Sequence, residues 1–268
     1  MVNYYPLDKT FTGDTDYEMP NDRFYVIRKI GTDGSTGTRF VIDGVETGEI
    51  NSIVAPLHRT SSNLLGPLDL GDLYYVVPPN KTFSVSGPAA ARIRAIGQIG
   101  VLAPGEVLPA TEAARFNEQG KRYITYLEDT YSKATDETWA AGEEQEVISL
   151  TPRTIEEYRF DRQVLASMTG ASFAEGTFAL RFYLDGKPLD ILTTGPGNLG
   201  VDVLSMPSPP ADSTEQDAFT LADLPIVVAG DHTFSVRAIN ISGAGQTPDF
   251  GSAWSVTVRA IVEYLMKG

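Results

Sequence analysis

The chain contains no cysteine. Disulfides, thiolate metal sites and cysteine nucleophiles are therefore excluded together. The absence does not fix a compartment, but it tilts toward synthesis in a cytoplasm. Histidine is almost as scarce. His58 and His232 are the only two, each lies in or beside an expected turn, and they are not spaced as a ligand pair within one element. The chain has no P-loop, no G-x-G-x-x-G, no G-x-S-x-G elbow and no H-E-x-x-H, so the motif-borne chemistries go unnominated. No apolar run approaches the ~20 residues of a membrane-spanning helix. The opening, Met1-Val2-Asn3-Tyr4-Tyr5-Pro6, lacks the basic and apolar regions of a signal peptide. Positive charge is also short. Lys and Arg number 21 against 35 Asp and Glu, a net charge of −14. Such a surface repels phosphate backbones and anionic headgroups, so direct nucleic-acid binding is not expected.

What the chain has is one stretch written twice. Leu70-Gly71-Asp72-Leu73, Val76-Val77 and Thr82-Phe83-Ser84-Val85 match Leu221-Ala222-Asp223-Leu224, Val227-Val228 and Thr233-Phe234-Ser235-Val236 without a gap. Before it, Arg39-Phe40-Val41-Ile42-Asp43-Gly44 answers Arg181-Phe182-Tyr183-Leu184-Asp185-Gly186. After it, Arg94-Ala95-Ile96 answers Arg259-Ala260-Ile261. Three collinear matches point to an internal duplication. Asp43 and Asp185 lie 142 residues apart, Phe83 and Phe234 151, Arg94 and Arg259 165. The second copy thus carries extra residues in both intervals, which belong in surface loops.

The local pattern is that of strands. Apolar and polar residues alternate in Thr82-Phe83-Ser84-Val85-Ser86, the mark of a half-buried strand. Glycine (25) and proline (17) are scattered, as many short strands and turns require. Asp43-Gly44 and Asp185-Gly186 sit between strand-like runs, where both central residues of a type I′ hairpin take positive φ. Strands are also expected over residues 24–30, 49–55, 73–77, 91–102, 123–127 and 147–150, and in the second copy over 163–168, 177–184, 224–228, 233–239 and 254–265. One short helix is expected over 111–119, capped by Thr111 and ended by Gly120. The fold class is all-β: two tandem β-sandwich (jelly-roll-like) domains from an internal duplication. The expected partition is an N-terminal arm (1–20), a first β-sandwich (21–110), a connector with the helix (111–155) and a second β-sandwich with longer loops (156–268). Jelly-roll and immunoglobulin-like topologies both fit the pattern.

Chemistry-bearing residues have bland readings. The duplicated pairs Asp72/Asp223 and Asp43/Asp185 are the best-placed carboxylates for a glycosidase-type pair, yet each sits in turn chemistry. Asp14/Asp16 and Asp136/Glu137 offer oxygen ligands to Ca²⁺ in acidic loops or at interfaces, without EF-hand spacing. Trp139 and Trp254 could stack on sugars, although Trp254 starts an alternating strand and reads as core. No catalytic or cofactor-binding residue is assigned, and an enzyme is not expected.

Two similar sandwiches in one cysteine-free chain of this size resemble the double jelly-roll major capsid proteins of tailless, membrane-containing icosahedral bacteriophages. The nearest local likeness is the strand ending in Phe182-Tyr183-Leu184-Asp185-Gly186, preceded by residues 146–150, Pro152 and Tyr158-Arg159. The family's helix between sheet strands is not placed in either copy. The resemblance implies a virion structural protein made in a host cytoplasm. It further implies homotrimers forming pseudo-hexagonal capsomers, with other virion proteins as partners and the insertions at 187–220 and 238–257 as towers or contacts. The alternatives are a capsid decoration (cement) or tail-associated protein, and a carbohydrate-binding adhesin module.

Overall fold

The computed structural model describes residues 2–13, 15–59, 65–88, 90–160, 164–189, 200–205 and 226–266. The chain divides into two compact units, residues 1–126 with 263–265, and residues 127–262 with 266–268.

In the first unit, one sheet holds β1 (Asn3–Thr12), β9 (Arg92–Val101) and β3 (Arg23–Thr32) in that order. Two short strands, β6 (Leu68–Asp69) and β7 (Tyr75–Val77), take successive stretches of the far edge of β3. The other sheet runs β2 (Thr15–Glu18), β8 (Thr82–Ser86), β4 (Thr38–Ile42), β5 (Val45–Ile50). The start of β10 (Arg122–Ser132) lies parallel to β5, with Ile124 opposite Gly48. The sheets meet through aromatic rings. Phe11 of β1 sits 4.8 Å from Phe83 of β8, and Tyr75 of β7 sits 5.4 Å from Phe40 of β4.

The second unit repeats this plan. Its first sheet runs β10, β19 (Ser255–Met266), β12 (Glu156–Phe160), β17 (Ile226–Ala229), with β13 (Val164–Thr169) also on β19. Its other sheet runs β11 (Glu144–Leu150), β18 (Phe234–Asn240), β14 (Phe178–Leu184), β15 (Lys187–Pro188), with β16 (Val201–Asp202) also on β14. Phe160 of β12 meets Phe234 of β18 at 4.4 Å. Trp139, Phe178 and Trp254 form a second knot, with ring centroids 5.0–5.5 Å apart. With β6/β7, β12/β13 and β15/β16 each counted as one strand, the strand orders within each unit are 1-8-3-6 and 2-7-4-5. That arrangement is a jelly roll and removes the immunoglobulin-like alternative.

Several expectations are corrected. Residues 1–20 are not an arm, because β1 and β2 are the first two strands of the first unit. Pro6 does not break this strand: β1 is the edge strand, and proline's missing donor is tolerated at an edge. The connector at 111–155 likewise holds β10 and β11, so the second unit begins well before residue 156. The helix exists as α1 (Ala110–Gln119), but Pro109 is its N-cap and Thr111 caps nothing. The Pro109 carbonyl starts the helical ladder by accepting from Ala113. β5 stops at Ile50 because the Asn51 side chain accepts the Ile53 and Val54 N–H groups and bends the chain. The strand expected over 73–77 begins only at Tyr75. A 3-10 turn, Gly71–Leu73, precedes it, set by the Asp69 carboxylate on the Gly71 N–H and by a positive φ (54°) at Gly71.

Candidate functional site: the matched hairpins

The matched segments occupy matched places. In the first unit Ile42 faces Phe83, Val41 faces Ser84, Phe40 faces Val85 and Arg39 faces Ser86. In the second, Leu184 faces Phe234, Tyr183 faces Ser235, Phe182 faces Val236 and Arg181 faces Arg237. The register is the same in both, and a slip of one residue would have exchanged the buried and solvent faces. The neighbouring strands agree. Tyr17 faces Phe83 as Leu150 faces Phe234, and Tyr25 faces Val77 as Tyr158 faces Val228.

The hairpin turns are built alike. Asp43 and Gly44 have φ of 52° and 76°; Asp185 and Gly186 have 51° and 73°. The Asp43 N–H donates to the Thr82 carbonyl at 2.9 Å, and the Asp185 N–H to the Thr233 carbonyl at 2.8 Å. Each Asp also takes a side-chain partner from the turn before the neighbouring strand. Lys81 Nζ lies 2.8 Å from Asp43 Oδ2, and His232 Nδ1 lies 2.7 Å from Asp185 Oδ2. The hydrogen bond from His232, helped by the Thr233 N–H, holds the Asp185 carboxyl below the usual carboxylate range. A His–Asp dyad can serve a general base. Here the matched position in the other unit holds lysine in the same role, so the arrangement reads as a turn clamp.

Other matched residues tie strands together. Arg94 of β9 grips both Asp8 carboxylate oxygens at 2.7 Å, and Arg259 of β19 grips those of Glu128 at 2.8 and 3.1 Å. The hydrogen bond from Arg94 keeps Asp8 low.

Most of the other described candidates are also engaged structurally. Asp72 is exposed in its 3-10 turn, where its carbonyl accepts from Arg115; Asp223 and Asp14 lie outside the described residues. Asp16 accepts from the Ser84 hydroxyl at 2.5 Å. Asp136 accepts from the Gly251 N–H, and Glu137 pairs with Lys133 and accepts from the Ala134 N–H. Trp139 and Trp254 are both buried, and their indole N–H groups donate to the Glu143 and Gln246 carbonyls. His58 lies 3.3 Å from an Arg94 nitrogen. Among the described residues, no group of three or more His, Cys, Asp or Glu is placed to hold a metal ion.

Two polar devices escaped the sequence reading. Arg122 and Glu263 form a buried pair, Nη1 to Oε1 at 3.3 Å, with side chains 3% and 0% exposed. The signal was a single acid inside the apolar run Ala260-Ile261-Val262-Glu263-Tyr264-Leu265. Gln119 of α1 bonds both the N–H and the carbonyl of Val76 at 2.8 Å, closing the edge of β7. No local sequence signal marks that contact.

No family model and no curated protein matches the chain. Among solved structures, it is similar to the major capsid protein of STIV, at 11% identity and a TM-score of 0.33, covering 99% of this chain and 97% of that one. It is similar to the major capsid protein P2 from bacteriophage PM2, at 12% identity and a TM-score of 0.27, covering 97% of each. It is also similar to BuGH86 in complex with neoagarooctaose, at 10% identity and a TM-score of 0.24. That match covers 94% of this chain, which spans only about a third (34%) of the other. The likeness to the capsid proteins is loose and architectural.

Proposed function

We propose that the chain is a virion structural protein, a capsid subunit whose two jelly rolls arose by internal duplication and assemble as homotrimers into pseudo-hexagonal capsomers. The observation that carries this reading is the repeated eight-strand plan with the matched residues in the same register. Three copies of a chain with two similar units present six similar blocks, which suits a hexagonally tiled shell. Among the described candidates, Asp43, Asp185, Asp136 and His232 are occupied in clamps and turns, which favours a scaffold over an enzyme. A net charge of −14 favours contacts with other virion proteins over direct contact with nucleic acid. On this reading the chain is made in a host cytoplasm and ends in the virion.

Electron microscopy of the concentrated protein tests the proposal. Particles with six-lobed outlines, or shells tiled by them, are expected. Particles of single-chain size at every concentration, with and without Ca²⁺, would overturn it. A cement or tail role would instead give trimers that bind preformed virions without tiling.

A further inference from the structure

The two units differ at the connection that leads into the last strand of each. Between β8 and β9 the first unit has five residues, 87–91; between β18 and β19 the second has fourteen, 241–254. In the second unit this long loop is fastened on both sides. The Asp249 N–H donates to the Gly170 carbonyl at 2.9 Å, the Gly251 N–H to the Asp136 carboxylate at 2.6 Å, and the Asp136 N–H to the Ser252 carbonyl at 2.8 Å. Inside the loop, Ser252 closes on Asp249 at 2.8 Å and Gly251 takes a φ of 77°. At the tip of this fixed frame stands Phe250, 99% exposed. Single exposed apolar residues are ordinary on protein surfaces. A whole phenyl ring held in water by a loop with this many internal bonds is a pre-organised anchor, because little ordering entropy remains to be lost on docking.

The first unit offers the complement. Its short connection leaves an open depression of about 500 Å³ lined by Thr36, Gly37, Arg39, Ser86, Gly87 and Pro88. Arg39 is half exposed and touches Glu49 and Glu46 along one side. The depression therefore offers a half-exposed guanidinium beside the ring of Pro88. Glu46 and Glu49 take the edge of the guanidinium, and its face remains able to attract an aromatic ring.

We propose that the 241–254 loop of one copy docks in the depression beside Arg39 of a second copy, with the Phe250 ring as anchor against the guanidinium face and Pro88. The contact is heterologous, joining different surfaces of two identical chains. It rests on the self-assembly reading above and names the surface through which assembly occurs.

The absence of cysteine makes the test clean. Phe250→Cys and Ser86→Cys are introduced together and singly, and each protein is oxidised mildly and run on a denaturing gel, with sedimentation of the unoxidised sample alongside. The double variant should give covalent oligomers where each single variant gives none. In addition, Phe250→Ser should weaken association at least tenfold while leaving the unfolding transition unchanged. Oligomers by sedimentation without cross-links would overturn this contact and leave the capsid reading standing. Cross-linked dimers from Phe250→Cys alone would show the loop meeting itself and overturn it too. Monomers throughout, without cross-links, would overturn both.

Discussion

In the first unit a lysine clamps the Asp-Gly hairpin; in the second a histidine stands at the same place. The backbone bonds around the two turns agree within 0.1 Å, while the side-chain partner differs. The comparison separates what the jelly roll needs from what it tolerates. It needs two residues at positive φ, a fixed register and a side chain that quiets the turn carboxylate. It tolerates a change in the chemistry of that side chain. The same holds for strand three, continuous with a bulge near Arg28 in β3 and divided into β12 and β13 in the second unit. The edges do not agree. Val76 has its outward backbone groups capped by Gln119, whereas the matched Val227 is 43% exposed on β17.

The comparison can be broken first at the core. Phe83 and Phe234 are matched and buried, at 0% and 1% exposure. Replacing either by alanine should cost about 3–5 kcal/mol, read by denaturant unfolding. A large effect at one and a negligible effect at the other would end the equivalence. The buried pair comes next. Glu263→Leu leaves the Arg122 guanidinium buried beside an apolar group and should cost about 3–5 kcal/mol. Adding Arg122→Met should recover most of that loss; an additive double variant would show that the two residues do not act as a pair. Gln119→Ala exposes the asymmetry of the edges. It removes both partners of Val76, at about 1–3 kcal/mol for each buried group left unmet. Amide exchange at Val76 should then accelerate, and unchanged protection there would deny the capping role.

The smallest effects are at the clamps. Lys81→Ala and His232→Ala remove exposed pairs and should each change stability by no more than about 1 kcal/mol. Acid acts on both units in the same direction. Asp8 in the first, and Asp185 in the second, are held below the ordinary carboxylate range in the folded protein. Their stabilisation is present above the unfolded value, near pH 4, and is lost as pH falls through the lowered folded values. Thermal midpoints should fall on acidification below about pH 4, and Asp8→Asn should flatten that fall slightly. A midpoint that rises in acid would reverse the sign.

Much of this was legible in the residues. Asp-Gly between β-branched runs dictates a hairpin, and the gap-free match from Leu70 to Val85 carried its pairing partners with it. Alternation in Thr82–Ser86 named β8 and its buried face. What failed did so where a local signal yields to position in the sheet. Pro6 reads as a breaker until β1 is known to be an edge. Residues 49–55 and 73–77 read as strands because their turn-makers, Asn51 and Asp69, act through side-chain bonds that composition does not display. The grip of Gln119 on Val76 joins residues 43 positions apart, beyond any periodicity. At the candidate site, the place of His232 beside an expected turn was legible; its hydrogen bond to Asp185, at the position where Lys81 meets Asp43, was not.

The most direct test of the central claim is the solution mass by sedimentation velocity over a wide concentration range, with and without Ca²⁺. The account predicts a compact species of three times the 29.0 kDa chain mass. A monomer indifferent to concentration and to calcium would contradict it.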